Sequence, residues 1–574
     1  YSCTDNNGPR HRNRAHVLSR QRQMATPRDM EGVTSTQWSA MPLAERLDRC
    51  AIDIMLHGLR RPAVVYIWHF TLLLINYGCF ALTLLAVGPS THKQPLLHGF
   101  VKLIVWQHFA ESLGCRQGPI YGHLGLPCNL MYRLSLGTVK LAKVAVLGTR
   151  RTAVDLLSHL LFYVGIFAFL ASREYRTEAL WLICGCDAFH FLSDSTQFYA
   201  ANGHTYYSVL LSACFPAERG RLAGMQTALL LQWFFSGVGK IGPWFEYVNG
   251  RPSLRRSMPF ARGAESPRAE QRVGPFMLQS MLLAPARRWL AGLLVRSPFH
   301  LSPTRFGQAV AHAAAAVEYL APLALLLPSD GAVAFGMASL GAMHAYILAM
   351  PAPFDVYSWN LCFGLCVPLL FWRIETLGFD WAGLSQASPL LLVYLGAECL
   401  TCAAGNVLPD RLGYYISHRY WAGNWCMMLF YIRDTDAARA KLDAVKAFSP
   451  NPLRPPKLGL DPFLMDVALH KSLAYLWLGN LNTKCLVPLI EEACAAAGGA
   501  PSDFKAVPSL PLYFAGEFRD FLFGVELMGE MQAVAGFDAG ECFAVKMSAF
   551  SVLGEGNRSE VHDLKKGRVR SYAT

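Results

Sequence analysis

Residues 62–87 read PAVVYIWHFTLLLINYGCFALTLLAV, and these 26 positions contain no Lys, Arg, Asp or Glu. As a helix rising 1.5 Å per residue the run covers about 39 Å, more than the roughly 30 Å of a bilayer's hydrocarbon core. A chain crossing lipid must satisfy its own backbone donors and acceptors, and a helix does so within one segment. The stretch therefore predicts a transmembrane helix. The composition agrees: of 574 residues, 53% are hydrophobic and 16% charged, where soluble domains carry about a quarter charged residues.

Working outward, apolar segments recur at 99–114, 153–171, 179–193, 205–215, 222–241, 307–328, 331–350, 357–372 and 388–406. Counting each as a crossing gives about ten, so the fold expected is an all-α polytopic membrane helical bundle of about 8–10 spans over 62–433. Before it, 38–61 mixes apolar and charged positions like an amphipathic helix at the membrane surface. Residues 1–37 form a basic arm with too little apolar content for a core, expected to be disordered or bound to a partner. Met24 offers a start, which would make 1–23 upstream sequence. After Arg433 the texture becomes charged, with helical patterns at 434–448, 464–478 and 481–497 and strand-like alternation at 542–550 and 559–568. A small extrinsic α/β domain is expected over 434–574.

The net charge of +12 comes from acid-poor segments. Loop 115–152 has six Lys and Arg and no acid, and loop 243–306 has ten arginines against Glu246, Glu265 and Glu270. Positive-inside topology accounts for both loops without nucleic acid and puts them, with both termini, on one side if 205–215 crosses. The sixteen cysteines are scattered, which indicates neither a zinc ribbon nor a disulfide framework. No metal site is expected.

Ionisable side chains within apolar runs are costly, so each is a candidate for function. Lys102, Asp155 and Lys240 lie near segment ends, where snorkelling accounts for them. Asp187 and His190, three apart, share a helix face and can form a relay or a structural polar pair. His312 and Glu318, six apart, come near to sharing one. His344, His108, His159, Glu111 and Glu398 complete the set.

Several segments resemble a family of uncharacterised multi-pass membrane proteins abundant in mycobacteria and other actinobacteria. They are Pro42–Arg46, Glu111–Cys115 with Gly118 and Pro119, Arg150–Asp155, Ser302 and Pro303 leading into His312 and Glu318, Ser358–Leu361, and Tyr420–Trp425. On this likeness Glu111, Asp155, Trp359, Asn360 and Asn424 are motif residues. The chain departs from the pattern in a shorter turn after Glu111, and in Leu527–Glu530 where the family carries a histidine. The resemblance implies fold and membrane placement. A fainter one covers 222–372, where Leu231–Lys240, Trp244, Glu318 and His344 are similar to the transmembrane domain of vitamin-K-dependent gamma-carboxylases. That likeness implies a base role for Lys240 toward a quinol.

Two functions fit these residues. The leading one is a non-catalytic accessory subunit of a larger complex in an energy-converting membrane, mitochondrial inner membrane before thylakoid, with structural lipids and no cofactor. The alternative is a membrane-embedded enzyme or carrier for a quinone-like or lipid molecule, with Lys240, Glu318, His312 and His344 around the substrate. It requires Lys240 and Glu318 to meet away from lipid.

Overall fold

The computed structural model describes residues 32–41, 63–113, 142–195, 203–242, 305–349, 357–373, 377–409, 427–447, 486–500, 503–507, 523–553 and 558–573, with isolated positions between them. Outside the described residues lie the arm 1–31, most of the surface helix expected over 38–61, the first half of loop 115–152, nearly all of 243–306, and almost all of the helix expected at 464–478.

Each apolar segment forms one helix. After a short α1 (Ser35–Ala40), closed by a Thr34–Gln37 capping box, come α2 (Ala63–Val87), α3 (Pro95–Ser112), α4 (Ala153–Leu170), α5 (Thr177–Ser193), α6 (Gly203–Ala213) and α7 (Glu218–Val238). Then follow α8 (Arg305–Ala324), α9 (Asp330–Ala349), α10 (Tyr357–Pro368), the one-turn α11 (Trp381–Ser385) and α12 (Pro389–Val407). Helix α10 ends at Pro368 and continues as a π turn, Leu369–Arg373. Proline cannot donate into the helical ladder, which favours such a change of register.

Among the described residues three helices are long and apolar enough to cross a membrane: α4, Asp330–Leu348 of α9, and α12. Leu74–Val87 and Asn360–Trp372 are shorter apolar stretches. Three of the eight to ten crossings expected thus meet both criteria among the described residues; α6 and α7 do not, for reasons of length and charge. Helix α7 opens with Glu218, Arg219 and Arg221. Helix α6 has 11 residues, about 16 Å of rise, half a hydrocarbon core. The placement of both basic loops and both termini on one side relied on that segment crossing, and loses its support.

The apolar core runs through these helices, joining Phe100 and Ile104 of α3, Phe162 and Ile166 of α4, Ile183 of α5, Tyr206 of α6, Met225 and Leu229 of α7, and Phe363 of α10. Helix α3 is buried along most of its length, so it is a core element wrapped by its neighbours.

The chain then builds a five-stranded antiparallel sheet of order β2-β1-β3-β4-β5: β1 (Met427–Arg433), β2 (Phe504–Val507), β3 (Cys542–Met547), β4 (Arg558–Asp563) and β5 (Gly567–Ala573). Helices α13 (Asp436–Ala447), α14 (Leu486–Ala496) and α15 (Phe523–Ala535) accompany it. Met428, Phe430 and Ile432 of β1 join Cys542 and Ala544 of β3 in a core against Ala438 and Leu442 of α13 and Met528 and Met531 of α15. The sheet unit thus starts at Met427, seven residues before the boundary read from the sequence. Strand β1 lies between β2 and β3 with Tyr431 buried on its other face, so it has no polar alternation to mark it as a strand, and it lies within the 62–433 bounds expected for the bundle.

The two parts are pinned together. The backbone N–H of Phe550, just after β3, donates to Asn424 Oδ1 at 2.6 Å. Its carbonyl accepts from Asn424 Nδ2 and Arg419 Nη2, each at 2.8 Å. The N–H of Val552 donates to the Asn406 carbonyl at the end of α12.

Candidate functional site

Helices α7 and α8 touch backbone to backbone at Gly237. A Cβ built there would lie 2.6 Å from the Tyr319 nitrogen and 2.8 Å from the Glu318 carbonyl carbon, closer than a side chain allows. The missing side chain brings Glu318 onto Lys240, one turn further along. Lys240 Nζ donates to Glu318 Oε2 and, at 3.1 Å, to Ser236 Oγ, while Ser236 Oγ donates to the same carboxylate oxygen at 3.2 Å. Lys240 is 4% exposed, and its ammonium also lies 5.7 Å from the centre of the Phe245 ring, a distance at which cation–π attraction contributes. Beside it Trp244 donates its indole N–H to the Gly239 carbonyl and stacks on Phe550 with rings 4° from parallel. The sheet domain thereby forms one wall of this corner.

Two turns back on the same face of α7, about 10 Å away, Trp233 donates its indole N–H to His344 Nε2 at 3.1 Å. An indole only donates, so Nε2 carries the lone pair and the ring proton is on Nδ1, which faces Asn360 Oδ1 at 2.9 Å. His344 is held neutral in one tautomer, with both nitrogens engaged. It orients Trp233 and does not present a free nitrogen to a ligand.

His312 does not join this constellation. Six residues at 100° each put it about 120° around α8 from Glu318, and it is exposed where Glu318 is mostly covered. Trp359 lies in α10, and its side chain is outside the described residues.

Asp187 and His190 share the inner face of α5, but each has a partner on another helix. Asp187 Oδ2 meets His108 Nε2 of α3 at 2.6 Å, and His190 Nε2 meets Ser158 Oγ of α4 at 2.8 Å. The motif residues Glu111 and Asp155 are buried as well. Asp155 caps the start of α4, accepting from the Thr152 backbone at 2.8 Å and taking Lys140 on both carboxylate oxygens at 2.7 Å. Snorkelling is therefore the wrong account of three residues: Lys102, Asp155 and Lys240 all point inward, Lys102 onto the Ser172 carbonyl at 2.6 Å. Glu398 accepts from Ser208 Oγ at 2.6 Å. Among the described residues no three His, Cys, Asp or Glu side chains are placed to hold a metal.

Sequence reasoning missed Ser236, Trp233, His108 as the partner of Asp187, and Lys140. Ser236 had a legible signal, since it lies four residues before Lys240 and so on its face. The others are paired across helices, and spacing says nothing about that.

Helices long and apolar enough to cross a membrane, with a small antiparallel sheet docked beside them, define the class as a transmembrane protein. Residues 271–572 match the family described as transmembrane protein of unknown function (DUF3556), and the chain belongs to that family. The resembling stretches at 42–46, 111–119 and 150–155 precede the matched region. No curated protein and no solved structure matches the chain.

Proposed function

We propose that this protein is a membrane-embedded acid–base site that takes a quinone-like or lipid molecule at the Lys240–Glu318 pair. The observation that carries this is the meeting of Lys240, Glu318 and Ser236 in a covered corner of a membrane protein. Two opposite charges there cancel, so the pair is tolerated where either alone would be costly. Passing the shared proton to Glu318 leaves Lys240 a neutral amine, the form that takes a proton from a weakly acidic hydroxyl. The faint resemblance of 222–372 to a carboxylase transmembrane domain, a reading of the sequence alone, implies a base role for the same lysine. Full-length protein purified in mild detergent and extracted for mass spectrometry tests the reading. A quinone or prenyl lipid retained by the wild type and lost from Lys240→Met and Glu318→Gln supports it. Equal retention by all three, or none by the wild type, overturns it.

A second reading, the accessory subunit, draws on bare apolar flanks such as Leu74, Leu85 and Leu400, each more than 70% exposed, which lipid or a neighbouring subunit can cover. Native electrophoresis tests it. Migration as a solitary monomer counts against a subunit, and co-migration with a mitochondrial inner-membrane complex supports one and places the protein.

A further inference from the structure

Away from the Lys240 corner, helices α3, α4 and α5 enclose a second polar cluster. Phe162 lies at its centre, with ring centroids 5.0 Å from His108, 5.8 Å from His190 and 6.4 Å from His159. All three imidazoles and Asp187 are at most 2% exposed. The cluster is layered. At one end of the helices two ion pairs close the start of α4 and the end of α5: Lys140 with Asp155, and Arg151 with Asp194 at 2.7 Å. One turn inward Ser158 bonds His190, and Ser158 Oγ also reaches back to the Asp155 carbonyl at 3.1 Å. His159 lies beside His190, with ring centroids 5.9 Å apart. One further turn along α5, Asp187 bonds His108. Each step is a single helical turn, about 5 Å.

The charge balance changes with depth. Asp155 and Asp194 each have a fixed cation, whereas Asp187 Oδ2 meets an imidazole, which is charged only when protonated. Asp187 Oδ1 accepts no hydrogen bond among the described residues. Burying a bare carboxylate is expensive, so the His108–Asp187 pair is stable when it holds one proton between its members. Glu111, one turn along α3 from His108, is a further buried acid.

We infer that His190, His159 and the His108–Asp187 pair form a proton relay leading from the Lys140–Asp155 end of α4 into the helical core, with the shared proton of His108 and Asp187 as its inner station. Transfer along it changes only N–H and O–H bonds. An imidazole accepts a proton on one nitrogen and releases one from the other; the Ser158 hydroxyl, which donates to the Asp155 carbonyl, accepts from His190 Nε2 and so positions that imidazole. No electron moves. The neutral, doubly engaged His344 has no comparable freedom.

Infrared spectroscopy of the full chain in lipid nanodiscs, moved from H2O to D2O, tests the relay. Loss of signal in Asp187→Asn identifies the Asp187–His108 band. The relay predicts rapid deuteration of that band in the wild type, slowed on the order of tenfold or more in His190→Phe and Ser158→Ala, both of which leave the pair intact. Exchange that waits on helix opening would be equally slow in all of them. Equal rates in wild type and Ser158→Ala, with the Asp187 band present, overturn the inference. Should His190→Phe fail to fold, Ser158→Ala decides alone. Lys240→Met leaves the rate unchanged, so failure of the relay and failure of the proposed function are separate results.

Discussion

At Lys240 a single methylene chain delivers a cation to a carboxylate that little water reaches. Lys240→Met removes the cation and leaves Glu318 with Ser236, and breaking a buried pair from one side costs about 3–5 kcal/mol. Lys240→Met combined with Glu318→Met is expected to recover most of that loss in thermal unfolding, because no charge is left to bury. The double variant losing as much as the single one would show that packing dominates. In the sheet domain His562 behaves differently. Burial holds its imidazole below the ordinary value of 6.5 despite a hydrogen bond to Glu560. The unfolded chain then binds the extra proton first, so stability drains away as pH falls from 6.5 toward the folded value. Asp434 adds a lower step. Burial alone would raise it, but Lys505 and Arg439 hold it below 3.8, so its contribution is lost only as pH falls through that lower folded value. His562→Gln is expected to flatten the upper step in a pH series of sheet-domain unfolding while leaving the lower one in place.

Helices and strands differ in how much of them a sequence discloses. Each apolar run of 62–406 became one helix because an uninterrupted apolar stretch has few other ways to bury its backbone. Whether a helix crosses lipid or is wrapped by protein depends on its neighbours, which is why α3 read like α4 until their burial was known. Strand β1 was hidden for a related reason: a strand buried on both faces has no polar alternation to announce it. Lys240 and Glu318 were legible as costly residues in apolar surroundings, but their meeting depends on Gly237, whose part shows only when two backbones are seen touching. Gly237→Ala forces a methyl group into the α8 backbone and is expected to destabilise by about 1–3 kcal/mol, an overpacking cost. It should also reduce ligand retention more than Ser236→Ala does, since it moves Glu318 bodily. Retention unaffected by Gly237→Ala would mean that the carboxylate's position is set elsewhere.

Across the whole molecule, the bundle and the sheet communicate through a few backbone bonds at Phe550. Asn424 supplies two of them, one in each direction. Asn424→Ala is expected to cost about 1–3 kcal/mol through the unmade bonds, and to expose 548–553 to protease while the core of the helices stays protected. Uniform protection in that variant would place the connection between the two parts elsewhere. The order of strands in the sheet also bears on how the chain is made. Strand β1 leaves the ribosome directly after the last long apolar helix, yet its neighbour β3 is encoded more than a hundred residues later, and β4 and β5 later still. Over that interval the apolar β1 has no partner until the four-residue β2 is made, and no partner on its other edge until β3 follows. A stop codon ahead of Cys542 would leave β1 only the four-residue β2 as a neighbour, and would remove the Phe550 carbonyl that Arg419 holds beside the helices. Late truncations of this gene should thus damage the lipid-facing half as well as the tail.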